Sequence, residues 1–206
     1  MGNIFGQGGM LYRFLTKTTD LIILNMIFLF TCIPVITIGA SCTALYSLTL
    51  KMCKNEESYI VRSYFRYFKE NLKKGTLAWG ICAAVILIFY VDFSILPGAA
   101  PQIRAVLGTA VFAAALLWMM IMSYVFPLMA KFENTLSNTF KNALIISMTR
   151  ILYTIPVTAV NLVFVFVIFC GGSLMVYGIP VYLLVGFAFS AYINSFFLGK
   201  VFERYV

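Results

Sequence analysis

The side chains with the sharpest spacing are basic. Arg62, Arg66, Lys69 and Lys73 follow one another at intervals of four, three and four residues. On a helix turning 100° per residue they fall within about 60° of one another. Val61, Tyr64, Phe65, Phe68 and Leu72 take the opposite side. Such a helix has two uses. It can lie on a membrane with its basic face towards anionic lipid, or dock as an amphipathic helix on a partner protein. Neither use is catalysis. There is no histidine, which removes the commonest general base and the commonest metal ligand together. Cys32, Cys42, Cys53, Cys82 and Cys170 are scattered, without a C-x-x-C pair, and read as small apolar packing residues. With neither a nucleophile–base pair nor a metal-ligand set, the chain is expected to be no enzyme and to need no cofactor and no metal.

Inside the apolar stretches the polar residues are few. Asp92 lies about one turn before Pro97, which places it at the outer interface, within reach of an ion pair with Arg104 across the turn. Asn25, Asn161 and Asn194 are candidates for hydrogen bonds between helices. Gly39, Ala40, Ser41 and Ala44 form a small-residue patch where another helix can approach closely. That helix belongs either to a partner or to the chain's own bundle.

The elements that carry these residues follow from composition. Of 206 residues, 62% are hydrophobic and only 11% charged, and the mean hydropathy is +0.97. A soluble domain carries about 25% charged residues, so this chain cannot cover a water-facing surface. Lipid needs no such cover. Long unbroken apolar runs indicate helices rather than a barrel, which alternates every second residue. The expectation is an all-α transmembrane helix bundle, a single domain over residues 1–206, with five spans and amphipathic loop helices. The basic balance, 15 Lys and Arg against 7 Asp and Glu, reflects topology and anionic lipid rather than nucleic acid.

The first span runs from Leu21 to Leu50, after a short amphipathic lead-in at Met10 to Lys17. Its length of about 45 Å exceeds a hydrocarbon core of about 30 Å, so a kink at Pro34 is expected. The alternative is that Pro34 to Gly39 turns the chain back. It ranks second because Leu21 to Ile33 is too short to cross. The other spans are Leu77–Leu96, Ala105–Leu128, Ile151–Cys170 and Leu174–Leu198. Phe140-Lys141 echoes Phe68-Lys69, each in a loop helix feeding a span, which hints at duplication. With five spans, the first and third loops hold most basic residues. The positive-inside rule then places the chain in the cell membrane with its N-terminus outside and its C-terminus in the cytoplasm.

A set of short stretches resembles the YesL-like family of small bacterial integral membrane proteins. They are Met1-Gly2-Asn3, Arg13-Phe14, Leu24-Asn25, Pro34-Val35-Ile36-Thr37-Ile38-Gly39-Ala40-Ser41, Ala44-Leu45-Tyr46, Tyr64-Phe65, Phe68-Lys69-x-Asn71 and Phe126-Pro127-Leu128-x-Ala130-x-Phe132. The resemblance implies Gram-positive bacteria and a genetic setting beside carbohydrate-uptake genes, and it transfers no active site. The expected function is therefore a non-catalytic accessory subunit of a carbohydrate (oligosaccharide) ABC importer, bound laterally to the permease subunits, with anionic membrane lipid as a second partner. A small stand-alone transporter, single or oligomeric, is the competing expectation.

Overall fold

A computed structural model describes residues 10–56, 59–98, 100–170 and 172–205. Met1-Gly2-Asn3, Ala99 and Gly171 lie outside the described residues. The elements are α1 (Met10–Cys32), α2 (Ile38–Cys53), α3 (Ile60–Ile95), α4 (Pro101–Lys131), α5 (Leu136–Thr149), α6 (Ile151–Cys170), α7 (Gly172–Val181) and α8 (Phe187–Phe202). Short 3-10 turns at Val35–Thr37 and Leu96–Gly98 and a π turn at Tyr182–Gly186 complete them. The chain is an all-α polytopic bundle.

Six helical stretches are long and apolar enough to cross a membrane: Phe14–Cys32, Val35–Cys53, Ile60–Gly98, Pro101–Lys131, Ile151–Ile168 and Met175–Phe202. This corrects the expected five. The stretch from Leu21 to Leu50 is two antiparallel helices, not one kinked span. Pro34 adopts an extended conformation (φ −74°, ψ 108°) ahead of the 3-10 turn. Lacking an N–H, it cannot carry the helical ladder through.

The reversal leaves the Thr31 carbonyl without a helical donor. It instead accepts hydrogen bonds from Thr37 Oγ1 (2.7 Å) and Ser41 Oγ (3.1 Å). At the other end of the hairpin, Lys17 Nζ donates to the Met52 carbonyl (3.3 Å) and to Asn55 Oδ1 (2.8 Å). Residues 17 and 52 are neighbours, which a single helix over Leu21–Leu50 forbids. The length argument against reversal fails because Met10 to Lys17 is no separate interfacial segment. It forms the first turns of α1, and its charge is carried back to the helix ends by the flexible lysine stem.

α2 is the central helix. From Gly39 to Thr49 every residue but Cys42 is buried. Its tightest neighbour is α3, and the two meet backbone to backbone. A Cβ on Gly39 would lie 2.1 Å from the Gly75 carbonyl oxygen, and one on Gly75 would lie 2.7 Å from the Ala40 Cα. Ala40, Ser41 and Ala44 are fully buried. Of the two alternatives for this patch, Gly39 and Ala40 are used inside the chain's own bundle. Lipid offers no hydrophobic drive for helices to pair, so van der Waals contact of this kind is what holds them.

α3 has 36 residues, about 54 Å at ~1.5 Å per residue. The expected loop helix at 58–74 is therefore its first four turns, continuous with the span. The second echo, around Phe140-Lys141, differs: α5 is a separate helix, broken from α6 at Arg150.

The hairpin also changes topology. The start of α1 and the end of α8 lie at the same end of the bundle, whereas five spans would set them at opposite ends. Lys17 lies 5.9 Å from the Tyr192 ring centroid in α8, and Cys53 Sγ donates to the Tyr192 carbonyl (3.7 Å).

Two outcomes are expected. Gly75→Ala should lower the unfolding temperature in mild detergent, with an overpacking cost of about 1–3 kcal/mol, because the atoms in the way are backbone. Gly80→Ala, with no neighbour within 4 Å of a new Cβ, should be neutral or stabilising by up to ~1 kcal/mol. Equal effects at both positions would remove the α2–α3 crossing. In a variant with its native cysteines replaced, cysteines at positions 55 and 203 should label from one side of the membrane and one at position 98 from the other. A tag at the N-terminus should be reached from the side of position 55.

Candidate functional site

The basic stripe sits on the side of α3 turned away from the bundle. Arg62, Arg66, Lys69 and Lys73 are all exposed. The opposite side packs inward through Tyr64, Gly75, Ala78 and Cys82, all buried. The Tyr64 hydroxyl lies 2.7 Å from Thr31 Oγ1, which ties α3 to the carboxyl end of α1. Val61, Phe65 and Leu72 remain exposed between these two faces. The helix therefore has three sectors: one that packs, one apolar and uncovered, and one basic. Arg66 pairs with Glu70 at 4.0 Å and donates to the Tyr67 hydroxyl (3.0 Å). Lys51, from α2, donates to the same hydroxyl.

Asp92 and Arg104 do not pair. The Arg104 guanidinium donates to the Pro97 carbonyl. The turn at Leu96–Gly98 offers Arg104 a backbone acceptor close to its own helix, so it need not reach one turn along α3 to Asp92.

The three asparagines make two separate sets of hydrogen bonds between helices. Asn25 in α1 is fully buried. Its Nδ2 donates to the Leu183 carbonyl (2.6 Å) and more weakly to that of Tyr182 (3.4 Å), while its Oδ1 accepts from the Ala188 N–H (2.9 Å). These backbone groups belong to the π turn and to the helix that follows it. A π turn breaks the regular ladder, and one amide side chain answers both the donor and the acceptors. Pro180, just before this turn, has no N–H to contribute.

The second set joins four helices. Asn194 Nδ2 in α8 donates to Asn161 Oδ1 in α6 (2.7 Å) and to the Tyr46 hydroxyl in α2 (3.3 Å). Asn161 Nδ2 in turn donates to Ser123 Oγ in α4 (3.0 Å). Asn194 is fully buried, yet its Oδ1 has no partner. Beside this chain lies a half-open pocket of about 170 Å³ between α1, α2, α6 and α8, bordered by Tyr46 and Asn161. Three rings crowd its wall: Phe164 and Phe187 at 4.8 Å, Phe164 and Tyr182 at 5.0 Å, and Tyr182 and Phe187 at 5.6 Å between centroids. The sequence marks the asparagines. It does not mark Tyr46, Ser123 or the π turn, whose one local sign is Pro180 followed by Gly186.

A third feature is the opposite of a packed site. Among the described residues from Ala83 to Met120, which form the outer halves of α3 and α4, none is buried. A Cβ added at Gly108 of this arm would lie 3.7 Å from Leu96 Cδ2 across the turn. Ala105, Thr109 and Ala113, spaced by four on α4, are all exposed.

Residues 21–93 match a family described as "Protein of unknown function, DUF624". That stretch covers about half of α1, all of α2 and nearly all of α3. No curated protein and no solved structure matches the chain.

The two sets make a graded prediction. Asn25→Leu leaves two carbonyls and the Ala188 N–H unanswered and should cost about 1–3 kcal/mol. Asn194→Leu removes two interhelical bonds, at about 0.6 kcal/mol each on the average for membrane proteins. Thermal unfolding in detergent should therefore rank Asn25→Leu as the more damaging. The reverse order would break the assignment of Asn25 to the π turn.

Proposed function

We propose that this protein is a non-catalytic accessory membrane subunit of a carbohydrate ABC importer, held laterally against the permease subunits. One observation supports this most: among the described residues of the α3–α4 arm from Ala83 to Met120, none is fully buried. Helices in lipid associate through close packing and a few polar contacts. An arm of two helices that makes little such contact at home is suited to make it with another membrane protein. Exposed small residues at Ala105, Thr109 and Ala113 allow a partner helix to come near. The match of residues 21–93 to a family of unknown function agrees with the YesL-like resemblance, and that resemblance supplies the carbohydrate-importer context.

The same reading places the protein in the cell membrane. Lys17, Lys51, Lys54, Lys200 and Arg204 belong to the end of the bundle where α1 begins and where α2 and α8 finish. By the positive-inside rule that end is cytoplasmic, with both termini inside. The basic stripe of α3 runs along the segment that ends at Gly75, packed against Gly39. Its exposed apolar sector beside Arg62, Arg66, Lys69 and Lys73 suits the surface of an anionic leaflet.

A second reading, a stand-alone transporter, draws on the polar chain through α2, α4, α6 and α8 and on the discontinuity between α7 and α8. Transporter sites are built from features of this kind. Uptake of sugars into liposomes holding only the purified protein would favour it over the accessory role.

The accessory reading is tested by co-purification from native membranes in mild detergent. Permease subunits should be recovered with the wild-type protein. Ala113→Trp should reduce the recovery at least about tenfold, the equivalent of 1.4 kcal/mol, while remaining monodisperse. Failure to recover any permease subunit would overturn the role, and undiminished recovery with Ala113→Trp would move the interface off the arm. Arg66→Gln should weaken binding to vesicles containing phosphatidylglycerol, and added salt should erase the difference.

A further inference from the structure

We propose that the cavity between α1, α2, α6 and α8 is a binding site for a small neutral polyol. The inference rests on unfilled hydrogen-bonding capacity facing an aromatic wall. Tyr46 is only 9% exposed, and its hydroxyl accepts from Asn194 Nδ2. Its own proton is then left to point elsewhere, and Tyr46 borders the cavity. Asn161 borders it too. One hydrogen of its Nδ2 goes to Ser123, and the second remains for an occupant. Ser190, also on the wall, holds the Tyr182 hydroxyl at a loose 3.4 Å, so this pair can give or take one further bond. An occupant therefore meets donors first and must bring oxygen acceptors.

Charge and shape narrow the class. Among the described residues none with a formal charge borders the cavity. A charged ligand would lose its hydration without gaining a counter-charge, which is costly in an apolar setting. The aromatic cluster Phe164–Tyr182–Phe187 favours a molecule with C–H surface as well as hydroxyls. Water alone fits poorly, because each water needs two to four polar partners and most of the wall is carbon. A volume of about 170 Å³ equals that of roughly five or six waters, and so admits a polyol of about six carbons at most. The site stands under either reading of the protein's role, since binding is measured without flux and without a partner.

The test uses the full chain in nanodiscs of neutral lipid and saturation-transfer NMR. The probes are glycerol, erythritol, xylitol and sorbitol, with gluconate and glucosamine as charged counterparts. Neutral polyols should receive saturation and compete with one another, and the charged compounds should not. Tyr46→Phe and Asn161→Leu should each weaken binding about tenfold, the effect of one lost hydrogen bond of about 1.4 kcal/mol. Lys200→Gln, at the far end of α8, should leave it unchanged. If Tyr46→Phe is not monodisperse, Ser190→Ala is read in its place with the same expectation. Absence of transfer to every neutral polyol, equal or stronger transfer to gluconate or glucosamine, or unchanged binding in the cavity variants would each overturn the proposal.

Discussion

The backbone contact between Gly39 and Gly75 is the constraint from which the rest of the bundle is arranged. Two helices can come this near only where both lack side chains, and here a Cβ on either glycine would strike backbone atoms of the other helix. In lipid, where apolar surface gains nothing by leaving its solvent, closeness itself is the source of attraction. Once α2 lies in this groove of α3, the other face of α2 is free to receive α8 and α4. Thr49 and Ser195 meet at 2.7 Å, and Tyr46 reaches Asn194. α1 folds back along α2 because Pro34 ends its helix and hydroxyls from Thr37 and Ser41 occupy the carbonyl left open.

The packed part of the bundle is consequently uneven. Contact is dense around α2 and sparse along the outer halves of α3 and α4. Buried polar groups follow the dense part, where an amide can find two or three partners on neighbouring helices. The arm carries hydroxyls only at Tyr90, Ser94 and Thr109, and two of these, Ser94 and Thr109, bond back to their own helix one turn earlier. An exposed hydroxyl that satisfies itself asks nothing of a neighbour, so the arm can face either lipid or another protein's helices. The division suits a subunit with a rigid half of its own and a half whose surroundings are supplied by others.

The interior chain from Tyr46 through Asn194 and Asn161 to Ser123 shows a different economy. Asn194 gives twice and Asn161 both gives and accepts, which lets a single line of side chains link four helices without a charge. One acceptor, Asn194 Oδ1, stays unanswered, and the neighbouring cavity is walled by rings rather than by further polar groups. An unanswered buried acceptor of this kind is costly.

Much was legible in the chain itself. An apolar content of 62% leaves lipid as the only adequate solvent, and helices are the form in which unbroken apolar runs satisfy their own backbone there. The 4-3-4 spacing of Arg62, Arg66, Lys69 and Lys73 determined that they share one exposed face, because that depends on helical pitch alone. Asn25, Asn161 and Asn194 announced themselves as polar residues in apolar runs. The fate of Pro34 was not local. A proline ends the hydrogen-bond ladder equally in a kink and in a reversal, and the choice came from Gly75, 41 positions away, and from hydroxyls beyond the turn. The same holds for Gly39 and Ala40, whose smallness permits an approach without saying by which helix. Which amide meets which carbonyl, and that Asn25 answers the π turn at Tyr182–Gly186, was decided only in three dimensions. Periodicity reports the face a residue occupies on its own helix, whereas the neighbour it meets depends on residues distant in sequence.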